Sequence, residues 1–320
     1  MAKILITGGA GFIGSFVAKA LVEAGEEVVL LDNFDDFLYP ATFKQARIEH
    51  LFKKEKRPQV VTGDILDGKL LGDVFTDGQF NAVLHFAALA NPGRSMTEAG
   101  PYTLVNVNGT VNVLEAVSQH EVPHLIVAGS SSVYDDTQTP FKEDSYPLRP
   151  HSPYGASKAA METYVQLWHE MHGIPTTIFR FFSVYGPWGR PDMAPMIFTD
   201  SVMNEKKLEL STDRQRDFTY IDDIVSGLML GLERTLEFEI INLGRGEPHP
   251  IEDFVQSIEK AAGKKAIVTS REAPAGEMRV TYADISKAKK LFGYAPKVSV
   301  DEGAAKLVDW YKQYGSLVAR

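Results

Sequence analysis

The chain has 320 residues, enough for one large or two small domains with a substantial core. Composition is that of a soluble globular protein, 44% hydrophobic and 23% charged. The formal net charge of −9, with no basic run, argues against a nucleic-acid role and leaves any anionic ligand to a local group of arginines. There is no cysteine, which excludes disulfides, thiolate catalysis and Cys-based zinc sites. No apolar stretch approaches the roughly 18 residues of a membrane span, and Met-Ala-Lys followed at once by an apolar run is not a signal peptide. A cytoplasmic protein is expected.

From the N-terminus, short apolar runs alternate with helical patterns. Ile4-Leu5-Ile6, Val28–Leu31, Val60-Val61, Ala82-Val83-Leu84 and Leu125-Ile126-Val127 read as buried strands. Helices are predicted between them over Phe12–Ala24, Thr42–Lys53, Leu66–Phe75 and Pro101–Gln119, followed by a helix over Pro153–His172 and a strand over Thr176–Phe181. This alternation implies a Rossmann-type α/β fold, a doubly wound parallel sheet covered on both faces. After Arg180 the segments shorten and gain Pro, Arg and Trp. Residues 181–320 are therefore expected to form a smaller, discontinuous α/β substrate domain beside a dinucleotide domain at 1–180. Phe218–Ile221 and Glu239–Asn242, within about 217–243, are candidate strands returning to the first sheet. Lys53–Arg57 reads as a solvated helix end.

Gly8-Gly-Ala-Gly11-Phe12-Ile13-Gly14 directly follows the first strand and opens the first helix. Glycines there allow a tight turn and close approach of the backbone to a pyrophosphate, which the helix N-terminus then meets with free N–H groups. Asp32 ends the second strand eighteen residues past Gly14. An acid at that place suits the ribose hydroxyls of NAD and repels the added phosphate of NADP. Asp64-Ile65 after the third strand either borders the adenine or makes a cap or turn.

Tyr154-Gly-Ala-Ser-Lys158 places a phenol and an ammonium one helical turn apart. A free phenol has a pKa of about 10, and an ammonium at about 4 Å is worth on the order of three pKa units at an effective dielectric near 20. Such a pair makes a base for the hydroxyl proton of an alcohol while hydride leaves the same carbon. Gly129-Ser130-Ser131-Ser132-Val133-Tyr134 leaves the fifth strand at the end where such sheets bind ligands. Alone it would read as a serine-rich turn.

These motifs, with His85-Phe-Ala87-Ala88, Asn106-x-x-Gly-Thr110 and Arg216-Asp-Phe-Thr-Tyr-Ile-Asp-Asp223, occur in an order that resembles the extended short-chain dehydrogenase/reductase family over almost the whole chain. Within it, Arg180–Met193 and Gln215–Ile224 look most like UDP-glucuronate 4-epimerases. The resemblance implies Tyr154 as acid/base, Lys158 lowering its pKa, and Ser130 as the catalytic hydroxyl. It implies NAD contacts from Gly8, Gly11, Phe12, Ile13, Gly14, Asp32, Asn33, Asp64, Ile65, Ala87, Asn106, Tyr154 and Lys158. It places Arg190 and Arg216 at the UDP, Ser183 with Ser131 and Ser132 at the sugar carboxylate, and Arg94 and Arg279 as further substrate contacts. Arg271 is an alternative to Arg279 at phosphate, since 274–277 lacks the usual basic residue.

The implied reaction is C4 epimerisation of a UDP-sugar through a transient 4-keto form, with UDP-glucuronate giving UDP-galacturonate. UDP-glucose and UDP-N-acetylglucosamine are alternative substrates. Decarboxylases and 4,6-dehydratases of the family carry an acid where Ser132 stands. A non-catalytic NAD-binding regulator is a further alternative, against which the intact Tyr154, Lys158 and Ser130 argue. No metal site is expected: His169-Glu-Met-His172 lacks a third ligand and reads as structural, and Asp222-Asp223 as helix capping. The surplus apolar residues of the Pro153–His172 helix suggest a partner helix and a two-fold homodimer, and the resemblance implies the same pairing through a four-helix contact.

Overall fold

The computed structural model describes residues 1–53, 56–274 and 276–318. Lys54 and Glu55 of the expected charged helix end, and Ala275 of 274–277, lie outside the described residues. Strands β1 (Lys3–Thr7), β2 (Glu27–Asp32), β3 (Gln59–Thr62), β4 (Ala82–His85), β5 (Leu125–Ser130) and β6 (Thr176–Phe181) join β11 (Phe238–Leu243) in one sheet. Its order is β11-β6-β5-β4-β1-β2-β3, and every pairing in it is parallel. The chain reverses direction of travel across the sheet between β1 and β4, and the crevice at that point is where such sheets take ligands.

Alternation along β1 explains why both faces are covered. Ile4 and Ile6 point to one side, into a core with Val17, Leu21 and Leu228. Leu5 points to the other, into a core with Leu71, Val113 and Val165. The first face is covered by α1 (Phe12–Glu23) and α9 (Ile221–Glu233), while α3 (Gly68–Gly78), α6 (Thr110–Gln119) and α7 (Pro153–His172) cover the second. The start of α7 is fixed by Ser152, whose hydroxyl accepts from Gly155 N at 3.2 Å, and by Pro153 in the first turn. Its end is fixed by Gly173 at φ +67°.

Two expectations are corrected. The predicted helix over Pro101–Gln119 is three segments, α5 (Ala99–Thr103), a π-helical turn over Leu104–Gly109, and α6. Phe218–Tyr220 (β10) does not return to the large sheet but pairs in parallel with β7 (Ser183–Tyr185). Phe238–Leu243 does return, against β6. Asp222 and Asp223 lie in the first turn of α9, but the Asp223 carboxylate accepts from Lys297 N and Val298 N, so it ties a distant loop.

The remaining segments stand over the carboxyl ends of the strands. They comprise α8 (Ala194–Met203), β8 (Lys207–Ser211) paired with β13 (Ile267–Arg271), β9 (Gln215–Arg216) paired with β12 (His249–Pro250), α10 (Ile251–Ala262) and α12 (Val300–Tyr314). Their core includes Phe198, Phe254 and Trp310, and Phe12, Tyr39 and Phe43 from the first fifty residues join it. Among the described residues no helix is long and apolar enough to cross a membrane.

Candidate active site

A cleft of about 1090 Å³ runs along the strand ends, larger than a single drug-sized ligand requires. The sequence-predicted site residues line it, with the exception of Asn106, Arg94 and Arg279.

The glycine turn is built for close approach. Gly8 has φ +67°, and a Cβ there would lie 2.6 Å from Ala87 N, while one on Gly14 would lie 2.5 Å from the Gly8 carbonyl. The first turn of α1 carries no acidic side chain, its N-cap, Gly11, makes no side-chain cap hydrogen bond, and Gly11, Phe12, Ile13 and Gly14 line the cleft, so a helix N-terminus is offered to an anion there. Asp32 is buried, with Oδ2 accepting from Ala10 N at 3.0 Å and Oδ1 from Phe34 N at 2.9 Å. Lys44 stands 3.6 Å from Oδ1. Asn33 donates to Asp64 Oδ2 at 2.8 Å, tying the exits of β2 and β3. This combination fits a dinucleotide.

Ser130 ends β5 and its hydroxyl accepts from Ser132 N at 3.1 Å, which curls Ser131–Val133 into a single 3₁₀ turn. The first turn of α7 presses on that curl. A Cβ on Gly155 would lie 2.3 Å from the Ser132 carbonyl, so only glycine lets Tyr154 come this close to Ser130. Ser95 holds the other side, accepting from Tyr154 N at 3.1 Å. The buried Tyr154 phenol is pushed above its ordinary pKa by burial, and the Ser130 hydroxyl and the Arg190 guanidinium pull it part of the way back.

Lys158 makes a contact that helical spacing does not announce. Its ammonium donates to the Ala128 carbonyl of β5 at 2.9 Å. Burial lowers its pKa to about 8, against the opposing pull of Glu162. The leading groups that favour the Tyr154 phenolate are the Ser130 hydroxyl and the Arg190 guanidinium. The strand carbonyl takes one of the three N–H groups of the Lys158 ammonium.

Beneath α7, Glu162 and Arg180 form a buried pair at 2.7 Å, with Arg180 Nε donating to both carboxylate oxygens. Arg180 also donates to the Tyr134 hydroxyl at 2.8 Å, which in turn donates to Asn242 on β11. His85 bridges the hydroxyls of Thr7 and Thr110 at 2.7 and 2.9 Å.

Arg190 is bidentate to Asp192, at 3.0 and 2.6 Å, and Arg216 pairs with Glu277 at 3.0 Å. Ser183 lines the cleft opposite the serine turn. Arg94 is turned away, stacked at 3.8 Å on Phe37 and bonded to Glu98 one helical turn on. Arg279 is also turned away, with an exposed guanidinium on Asp213 at 3.1 Å, and Arg271 lines the cleft in its stead. Asn106 sits behind the wall. It accepts from Leu89 N at 2.8 Å and donates to Leu89 O at 2.9 Å, fixing the segment that carries Ala87 to Asn91. Lys44 and Ser95 escaped the sequence reading. Nothing in the local pattern marks the Ser95 hydroxyl as a partner of α7.

The fold and the cleft define an α/β dinucleotide-binding protein in which segments after β6 line a ligand site at the strand ends. The GDP-mannose 4,6 dehydratase family profile matches residues 5–307. A UDP-glucuronate 4-epimerase from Thermodesulfobacterium geofontis is 37% identical over 321 residues, spanning 99% of this chain and 98% of that protein. The crystal structure of UDP-glucuronic acid 4-epimerase from Bacillus cereus, with UDP-glucuronic acid and NAD, superposes with a TM-score of 0.91 at 36% identity, covering 97% of this chain and 99% of that one. UDP-glucose 4-epimerase from Thermus thermophilus, complexed with NAD, gives a TM-score of 0.87 at 29% identity over 97% and 99% of the two chains. The chain belongs to the GDP-mannose 4,6 dehydratase family of NAD-dependent epimerases and dehydratases.

Proposed function

We propose that the protein is an NAD-dependent 4-epimerase that interconverts UDP-glucuronate and UDP-galacturonate. The observation that carries the reading is a buried Tyr154 phenol beside Ser130, in one cleft that the glycine turn, Arg190 and Arg216 also line.

The first turn of α1 and Asp32 hold the cofactor's pyrophosphate and ribose. When bound, NAD supplies a cationic ring that takes hydride from sugar C4 and gives it back. Arg190 and Arg216 hold the diphosphate of the substrate, as planar forks suited to it. Tyr154 takes the proton of the C4 hydroxyl, with Ser130 donating to the same oxygen and Lys158 holding the nicotinamide ribose. The sugar turns over within the cleft while the UDP stays anchored, so that the opposite face of C4 is presented for the return of hydride, and Tyr154 returns the proton to the C4 oxygen. The 4-keto form of a glucuronate is a β-keto acid prone to losing CO₂. Ser131, Ser132 and Ser183 bind its carboxylate and hold it out of the perpendicular geometry that expels CO₂. Ser132 stands where a carboxylate would have to be to assist proton removal at C5, so the site is equipped for epimerisation and not for dehydration.

Residues 1–180 with 238–243 form the cofactor part, and the segments over the strand ends form the substrate part. Two copies pair in the cytoplasm through α7 and its neighbour. Leu104 on the π turn and Tyr164, Leu167 and Met171 on α7 support this, being exposed by 40 to 60%.

Purified protein given UDP-glucuronate is expected to yield UDP-galacturonate without added NAD. Tyr154→Phe is expected to lower kcat by at least about a hundredfold and leave NAD binding intact. Conversion of UDP-glucose alone would remove the hexuronate assignment, release of CO₂ with a UDP-pentose would make the protein a decarboxylase, and an active Tyr154→Phe would remove the base.

A further inference from the structure

Arg47, on α2 (Ala41–Leu51), is completely buried and, among the described residues, has no carboxylate partner. Its Nη1 donates to the Ala10 carbonyl at 2.7 Å and to the Tyr39 hydroxyl at 3.3 Å, and its Nε donates to the Trp188 carbonyl at 2.9 Å. Nη2 has no partner. A buried, unpaired guanidinium is costly, and a hydrophobic side chain of similar volume would fill the same space.

Its two carbonyl partners explain where it acts. Ala10 belongs to the glycine turn, and its amide is bonded to Asp32. Trp188 belongs to the turn from Gly186 to Arg190 and sits at φ +60°, a left-handed conformation that a non-glycine residue holds only when its surroundings impose it. Two residues on, the Arg190 guanidinium lies 5.7 Å from the Tyr39 ring, the same ring that Arg47 covers at 5.6 Å. Gly189 packs against Phe12, the first residue of α1. One planar group thus spans the dinucleotide turn and the turn that aims Arg190.

We propose that Arg47 is a positioning residue that locks these two turns together, so that a dinucleotide on one and a nucleoside diphosphate on the other strengthen each other's binding. The proposal deepens the epimerase reading and rests on it for the identity of the two ligands. A ligand that orders Ala10 orders Trp188 through Arg47, and thereby Arg190. By linkage the effect runs equally in reverse.

The test measures the affinity of the full-length, nucleotide-free protein for UDP by calorimetry, with and without saturating NAD. UDP is expected to bind about tenfold more tightly with NAD present. Arg47→Lys and Arg47→Met are expected to bring that factor close to one and to raise KM for the UDP-sugar, while kcat at saturation falls much less. Equal UDP affinity with and without NAD in the unaltered protein overturns the proposal, whatever the folding of the variants. So does a folded variant that retains the factor. Because the probes are UDP and NAD, an error in the hexuronate assignment leaves this result untouched, whereas failure of the unaltered protein to bind UDP overturns both readings.

Discussion

His85 is the last residue of β4 and is buried between two threonine hydroxyls. Burial, with help from the Lys158 charge, lowers its pKa to about 3, so the folded protein keeps it neutral where the unfolded chain protonates it. Between about pH 6.5 and pH 3 the unfolded state therefore binds the extra proton. The contribution is whole above pH 6.5 and falls by about 1.4 kcal/mol per pH unit on acidification through that window. Urea titrations at pH 7, 6 and 5 are expected to show a loss of stability that is clearly shallower in His85→Asn. Identical slopes would mean that another group controls acid unfolding. The residue scale also marks a limit of reading by spacing. Tyr154 and Lys158 are visible as a pair because four residues make one helical turn, yet the ammonium's partner is a strand carbonyl that no local pattern announces. Arg94 is likewise claimed by Phe37, distant in sequence, and by Glu98, which lies at the i+4 spacing.

At the scale of elements, α7 is the organiser. Ser152, Pro153 and Gly173 set its bounds, and all three are legible as capping residues, so the predicted range Pro153–His172 coincides with the observed one. What fastens it to the sheet is the pair formed by Glu162 and Arg180. Removing one partner leaves a buried charge uncompensated, and Glu162→Gln is expected to destabilise the protein by about 3 kcal/mol in chemical denaturation. A loss within about 0.5 kcal/mol would show that the pair does not hold the helix. The π turn at Leu104–Gly109 was not legible. Apolar spacing over six residues does not separate an i+4 from an i+5 pattern, and the one-residue change in phase sends Asn106 to Leu89 and not into the cleft. Similarly, Phe218–Tyr220 has the composition of a core strand, but its partner is the three-residue β7, too short to be recognised in advance.

At the scale of the molecule, the apolar residues exposed on α7 belong to one surface. Leu167→Glu with Met171→Glu is expected to turn a dimer into a monomer in analytical ultracentrifugation and to leave the unfolding midpoint of the isolated chain nearly unchanged, since both side chains face solvent in one copy. A monomeric unaltered protein, or a double variant that stays dimeric, would remove that surface from the contact. The doubly wound sheet was legible because each apolar run was bounded by a helical pattern. The cleft's far wall was not legible from periodicity. Ser183, Arg216 and Arg271 come from short segments, and all three were named only through the resemblance, Arg271 as an alternative to Arg279.

Phe12 opens the helix at the glycine turn and shares a core with Trp310. Synthesis reaches the two sides of that core at different times: the glycine turn leaves the ribosome long before Trp310. A nascent chain can wind its early strands and helices, yet the core behind its nucleotide pocket stays unfinished until α12 has emerged. A protein shortened before α12 is therefore expected to bind cofactor and substrate more weakly, although α12 gives the cleft only Leu307 and every residue with a role in the proposed mechanism precedes that helix.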